Sequence, residues 1–337
     1  MRNLKRALSL GLTAAMISGL MVMGSSAASY ADVTSEQNQE AIEVLQAVGI
    51  MVGDENGNFN PDAQVTRNEM AVIMSNLMDY RVATYSGTSP FTDVPSWAEP
   101  YVAACWTNGI TAGYSATTYG GSDTVTTAQA ALMLMKALGY FQYSSDFGDD
   151  WQLATITQGN KIDLFTDVDS GVKEAMTRND LAQLVLNTLE SGTVEASSDV
   201  TQVTTGDVNV TTGKVEYNYV TSQKDYAKAI SDLEAVYATG ISTSGCIVEL
   251  GEKLYDGDLK KNEGTADDFG RPATEWKYGT QTVGTFSDSP DATFTTKVTK
   301  KALYDAVDKS VYDSLDDGEY DLYYYVDGYG QKIATHN

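Results

Sequence analysis

Histidine is nearly missing from this 337-residue chain: His336, one residue from the end, is the only one. Imidazole is the commonest general base and metal ligand near neutral pH. A Ser-His-Asp triad, a Cys-His pair and a histidine-bearing zinc site are therefore not expected, and neither is any cofactor. Cysteine is almost as scarce, with Cys105 and Cys246 alone, which makes no disulfide framework. Cys105 lies in Ala103-Ala104-Cys105-Trp106, which reads as the buried face of a helix, and Cys246 opens the apolar Cys246-Ile247-Val248. Two small buried thiols in separate domains are the preferred reading, and a disulfide between them is the alternative. Positive charge is also short, with 22 Lys and Arg against 46 Asp and Glu and a formal charge of −24. A surface of that sign repels nucleic acid and anionic lipid, which need clusters of Lys and Arg.

Long apolar runs are limited to one, at the start. Arg2, Lys5 and Arg6 precede an apolar stretch from Ala7 to Met23, and Ser29-Tyr30-Ala31 then offers small residues at the spacing a leader peptidase needs. The run is shorter than the roughly 20 residues that span a bilayer. Residues 1–31 are read as a secretory signal cut after Ala31, and the remaining chain as exported and not membrane-spanning. Loss of three basic residues with the leader takes the formal charge from −24 to −27.

What the sequence does have is internal repetition. Val48-Gly49-Ile50-Met51-Val52-Gly53 recurs 60 residues later as Asn108-Gly109-Ile110-Thr111-Ala112-Gly113, and the same offset carries Phe59 to Tyr119, Thr66 to Thr126 and Glu69 to Gln129. A third, degenerate copy places Asn160-Lys161-Ile162 and Thr177-Arg178-Asn179-Asp180 in the matching order. Each copy reads as helix, loop, helix. Ile42, Leu45 and Val48 form an apolar stripe that stops at Gly49. A loop of turn residues, Gly53 to Pro61, follows. Thr66 with Glu69 makes a capping box ahead of Met70, Ile73, Met74 and Leu77. Thr177 and Asp180 precede Leu181, Leu184, Val185 and Leu189 in the same way, although Asp reaches back less well than Glu. Asp54-x-Asn56-x-Asn58 imitates the start of a calcium loop. Phe59 stands where that loop needs Gly, however, and Val65 where it needs a bidentate Glu, so no metal is expected.

These motifs in this order resemble the S-layer homology (SLH) domain. Phe91-Thr92-Asp93-Val94, Trp97-Ala98 and the Gly109-Ile110-x-x-Gly113 loop show its front half. Gly53, Phe59, Pro61 and Thr66-Arg67-Asn68-Glu69 show its back half. The resemblance runs over about residues 35 to 191, divided as 35–82, 90–142 and 150–191. It implies that three repeats pack as one pseudo-threefold helical module. It also implies that grooves between repeats bind an anionic, often pyruvylated, secondary cell-wall polysaccharide, which anchors the protein to the cell wall as an S-layer or other surface protein. The ligand role falls on Arg67 and Arg178, with Thr66 and Thr177 as the caps that hold them, and Trp97 and Asp93 in second rank. An arginine fork in the first helical turn suits a carboxylate, and a tryptophan face suits a sugar ring. The alternative for each arginine is an exposed helix-start residue paired to a nearby acid. The copies are not equal. The second reads Thr126-Thr127-Ala128-Gln129 with no arginine, the first lacks the Phe-x-Asp-Val front, and the third lacks the glycine loop.

Residues 192–215, rich in Ser, Thr, Val and Gly, read as a linker into a small α+β domain at 216–337. Tyr226, Ile230, Leu233 and Tyr237 suggest one helix, and Leu303, Val307 and Val311 another. Residues 276–286 suggest a hairpin about Gly279-Thr280, and Tyr320 to Val326 a closing strand with three consecutive tyrosines. Asp268-Phe269-Gly270-Arg271-Pro272-Ala273-Thr274 looks like stretches found beside SLH repeats, which names no activity. The expected fold is thus a mainly α module followed by a small α+β domain. The expected protein is a cell-wall-anchored surface protein, with self-association in a surface layer among its expected contacts, rather than an enzyme; an anchored glycan-acting enzyme or an adhesin is the alternative.

Overall fold

The computed structural model describes residues 30–34, 38–197, 201–205, 208–212, 215–230, 233, 245–267, 270–287, 301, 305, 321–326 and 329–335. The expected leader, apart from Tyr30 and Ala31, and the helix expected about Leu303, Val307 and Val311 lie outside these residues. The chain divides into two units, Met1–Leu259 and Lys260–Asn337. No helix among the described residues is long and apolar enough to cross a membrane.

The first unit is built from three helix–loop–helix pairs. They are α1 (Gln39–Ala47) with α2 (Arg67–Leu77), α3 (Glu99–Thr107) with α4 (Thr127–Leu138), and α5 (Trp151–Lys161) with α6 (Arg178–Leu189). The second helix of each pair packs on the first helix of the next: α2 on α3, α4 on α5, and α6 back on α1. The apolar stripes face this junction, and Ile42, Leu45, Met70, Met74, Leu77, Leu181, Leu184 and Val185 are all buried. Burying such side chains is worth roughly 1.5–3 kcal/mol each against leaving them in water. Gly49 and Gly109 stop α1 and α3 at φ 73° and 72°, a left-handed backbone that residues with a Cβ rarely adopt.

Three short extended segments meet at the axis of this ring. The Val65 N–H donates to Met176 O (3.0 Å), the Met176 N–H to Val125 O (2.9 Å), and the Val125 N–H to Val65 O (2.9 Å), a closed cycle of backbone hydrogen bonds. Bridge pairs Gln64–Thr177, Thr66–Thr124 and Thr126–Ala175 flank the three corners. Each corner runs straight into a capped helix. Thr66 and Glu69, and Thr126 and Gln129, form full capping boxes. Thr177 caps Asp180 N–H (3.1 Å), but the Asp180 carboxylate turns away to accept from Ser170.

The structure corrects the expected linker. Thr193 and Val194 are buried, and β1 (Val194–Ala196) pairs antiparallel with β4 (Tyr217–Tyr219). A second backbone cycle forms there: Thr193 N–H to Val248 O (2.9 Å), Val248 N–H to Val220 O (2.9 Å) and Val220 N–H to Thr193 O (2.8 Å). Its flanking pairs, Gly192–Glu249, Thr221–Ile247 and Val194–Tyr219, repeat the pattern of the first. Ser/Thr/Val composition suits strands as well as connectors, which is why composition misplaced the boundary. The hairpin β2 (Thr201–Thr205) and β3 (Val208–Thr212) lies between, and α7 (Leu250–Tyr255) opens on a Glu249–Glu252 capping box and packs on α6. Of the helix expected from Tyr226, the described part is a single 3-10 turn at Ala227–Ala229.

Both cysteines fall in the first unit rather than in separate domains, and both are free thiols. Cys105 is buried against Ala71 O, and burial pushes its pKa up to about 12. Cys246 is only half-buried. The described sheets of the second unit are β5 (Leu259–Ala266), β6 (Pro272–Tyr278) and β7 (Gln281–Ser287) in that order, and β8 (Asp321–Val326) with β9 (Tyr329–Thr335). The hairpin about Gly279-Thr280 is present as β6–β7, and the tyrosine run lies on β8.

Met176 is fully buried at a corner of the first cycle. Met176→Ala is expected to cost about 2–5 kcal/mol of unfolding free energy, read from the urea midpoint. The same change at exposed Val172 should stay within about 0.5 kcal/mol.

Candidate functional site: the arginine grooves

The ring places the first turn of each second helix against the loop of a neighbouring repeat. Arg67 and Asn68 N–H groups donate to Asp123 O and Gly121 O, both at 2.9 Å. Arg178 and Asn179 donate to Ala63 O and Pro61 O, also at 2.9 Å, and Thr127 and Ala128 to Glu174 O and Val172 O. These donors would otherwise be free at a helix start. The expectation that the positive helix end faces a ligand is therefore revised, because these N–H groups join the three repeats to one another.

Arg67 is 7 % exposed. Its Nε donates to Tyr119 O (3.2 Å) and its Nη2 to Ala112 O (2.7 Å). The guanidinium carbon lies over the rings of both Tyr114 (4.7 Å to the centroid) and Tyr119 (4.6 Å), a pair of cation–π contacts. The Tyr119 hydroxyl donates back to Arg67 O (3.1 Å). Asp93 braces the loop from below, its carboxylate accepting the N–H groups of Tyr119 and Gly120, both at 2.8 Å. Phe91 fills the space beside it, 5.3 Å from the Tyr119 ring. Gly113 is required there, since a Cβ would come within 2.3 Å of the Phe91 ring and 2.6 Å of Thr118 O.

Arg178 repeats this arrangement against the first loop. Its Nε donates to Phe59 O (2.7 Å), its Nη2 to Val52 O (2.8 Å), and its guanidinium lies 4.6 Å over the Phe59 ring. Burial lowers the Arg178 pKa, and Glu69, Tyr30, Asp54 and Asp32 oppose that shift. Asp32 takes the place of Asp93, accepting from Phe59 N–H (2.9 Å) and Asn60 N–H (2.6 Å). Tyr30 takes the place of Phe91, 5.5 Å from the Phe59 ring, with its hydroxyl accepting the Gly53 N–H at 2.7 Å. The first repeat therefore does have its front, Tyr30-Ala31-Asp32-Val33, and begins before residue 35. Tyrosine in place of phenylalanine hid it. The Asp54 carboxylate of the calcium-like motif accepts from Asn56 N–H, Asn58 N–H and Asn60 Nδ2 and closes its own turn.

The third groove has Thr127 where the others have arginine, and its hydroxyl donates to Ser170 O (3.3 Å). Trp97 is 41 % exposed, and among the described residues no hydrogen bond or ring contact joins it to Arg67. Thr66 and Thr177 act as caps. In both arginine grooves the Nε–Nη2 edge is taken by loop carbonyls, so among the described residues it is the Nη1 edge that has no hydrogen-bond partner. Sequence reasoning missed Tyr114, 57 % exposed over Arg67, and Asp32. The offset that matches Phe59 to Tyr119 also sets Tyr114 opposite Asp54 and makes the two grooves different.

The Asp93 pKa is lowered from the model-peptide value of 3.8, first by the Tyr119 and Gly120 N–H groups and last by Arg67. A carboxyl with a depressed folded-state pKa adds stability above its unfolded pKa and loses it as pH falls through the folded one. The melting temperature of the wild type should thus exceed that of Asp93→Asn at neutral pH. The gap is expected to close as pH drops below about 4.

Residues 29–71 and 90–131 match the S-layer homology domain family. The chain is 28% identical over 319 residues to the surface-layer 125 kDa protein of Lysinibacillus sphaericus, covering 84% of this chain and 27% of that one. It is 24% identical over 163 residues to the middle cell wall protein of Brevibacillus brevis, covering 47% and 15%. It is 30% identical over 114 residues to an endoglucanase of a Bacillus species, covering 31% and 12%. The chain thus spans about a quarter or less of the length of these relatives. Two S-layer homology repeats are shown, the first starting at residue 29, and with these relatives they place the protein at the cell surface.

Proposed function

We propose that the first unit anchors the protein non-covalently to the bacterial cell wall by binding an anionic, pyruvylated secondary wall polysaccharide in the grooves of Arg67 and Arg178. The observation that carries this reading is the same construction built twice in a strongly acidic chain. Each arginine is held by two loop carbonyls and at least one aromatic ring, with an aspartate bracing the loop behind it. Preorganised in this way, an arginine loses little conformational entropy on meeting a carboxylate through its remaining edge. Thr66 and Thr177 hold the helix starts, Asp93 acts through the loop, Tyr114 gives a sugar an apolar face beside Arg67, and the exposed Trp97 offers a second ring. The third pair, α5 with α6, is a degenerate S-layer homology repeat that completes the ring and supplies Arg178. The groove at Thr127 lacks the arginine of the other two and serves packing. The second unit serves assembly or contact at the surface, a role that accords with relatives named surface-layer proteins.

Pelleting of the exported chain with purified walls tests the reading. Arg67→Ala with Arg178→Ala should weaken binding about 10- to 100-fold per groove, the range of a lost charge-assisted hydrogen bond. Stripping the anionic polysaccharide from the walls should abolish binding by the wild type. Because both arginines also tie loops, Arg67→Lys with Arg178→Lys and a thermal melt separate lost grip from lost fold. Unchanged pelleting by the folded double variant would refute the assignment.

A further inference from the structure

The expected leader meets the folded module at Tyr30, and two small-residue patterns compete for the cut. Ser29-Tyr30-Ala31 presents small side chains three residues and one residue before the bond to Asp32. Ser26-Ala27-Ala28 presents the same pattern before the bond to Ser29. Residue size alone does not choose between them, but the fold does. Tyr30 is 8 % exposed, its ring packs on Phe59, and its hydroxyl is the acceptor for the Gly53 N–H. Gly53 has no room for a Cβ because the Tyr30 ring would lie 2.3 Å from it. The Val33 N–H closes a turn onto Tyr30 O at 3.2 Å, which aims Asp32 at the Phe59 and Asn60 N–H groups. Phe59 in turn carries the guanidinium of Arg178.

A cut after Ala31 would discard that ring, leave the Gly53 N–H without its acceptor and remove the turn that aims Asp32. It would also create an α-ammonium on Asp32, beside the carboxylate that braces the loop. The second repeat shows what the position is for, since Phe91 does the same work within the continuous chain, two residues ahead of Asp93.

We propose that the leader is removed between Ala28 and Ser29, so that the exported chain begins Ser29-Tyr30-Ala31-Asp32-Val33 and keeps the aromatic keystone of its first groove. The step is a hydrolysis carried out by the leader peptidase of the export machinery. Water adds its oxygen to the Ala28 carbonyl carbon and the C–N bond to Ser29 breaks; Ala28 is left as a carboxylate, and the Ser29 nitrogen takes up both protons of that water to become the new α-ammonium. Nothing is oxidised or reduced. The inference concerns the first unit's fold and stands apart from the identity of the wall polymer.

Secretion of the full chain from a Gram-positive host, followed by intact mass and N-terminal sequencing, tests it. Ser29 as the first residue is the expected result, and any other first residue, Asp32 above all, overturns the proposal. A second measurement compares the melting temperatures of chains produced with Ser29 and with Asp32 as first residue. The shorter chain should melt roughly 5–10 °C lower, as loss of a large buried side chain from a domain of this size implies. Equal melting temperatures would overturn the part of the proposal that makes Tyr30 the keystone of the first groove.

Discussion

Three backbone hydrogen bonds among Val65, Val125 and Met176 hold the rest of the first unit in place. Each corner both donates and accepts, so no strand edge is left open within the cycle, and the buried amides there are satisfied without water. The three segments come from sequence positions more than fifty residues apart. Closing them therefore carries the chain-entropy cost of long loops, which the apolar helix faces packed around the axis offset. The helices α2, α4 and α6 each begin two residues after a corner, so the cycle also sets where Arg67, Thr127 and Arg178 stand.

From that placement follows the local chemistry. An arginine in the first helical turn projects onto the loop of a neighbouring repeat, where carbonyls left over from turn residues accept from it. The loops can offer those carbonyls because an aspartate, Asp93 or Asp32, takes their N–H groups instead. In a chain with 46 acidic and 22 basic residues, two cations held this way are local exceptions to the surrounding field. Two caged arginines of like construction but different neighbours, Tyr114 at one and Asp54 at the other, give the grooves different character.

The second backbone cycle, Thr193–Val220–Val248, reuses the geometry of the first beside the end of α6. Leu250 N–H donates to Ser191 O, and Gly251 lies close to Leu189 O, so α7 is seated directly on the last helix of the ring. The chain leaving the anchor thus enters another closed hydrogen-bond network.

Much of this was legible in residues alone. The helix stripes, Thr66–Glu69 and Thr126–Gln129 caps, stopping glycines and the hairpin about Gly279-Thr280 are local or periodic features, and their physics is complete within a few neighbouring residues. The 60-residue offset exposed the repeats because each must bury the same kind of face. What the sequence could not show were partners that carry no side-chain signature. Every residue has a carbonyl, so nothing marked Ala112, Tyr119, Val52 and Phe59 as the acceptors of Arg67 and Arg178. Nothing marked Thr193, Val220 and Val248 as a closed cycle rather than part of a linker and its surroundings. Tyr30 and Asp32 escaped notice because their function appears only when residues more than twenty positions away fold back over them. Sequence periodicity thus determined the units and their order. The tertiary closure of the ring decided which atoms each arginine meets, because those contacts are backbone contacts made across the chain.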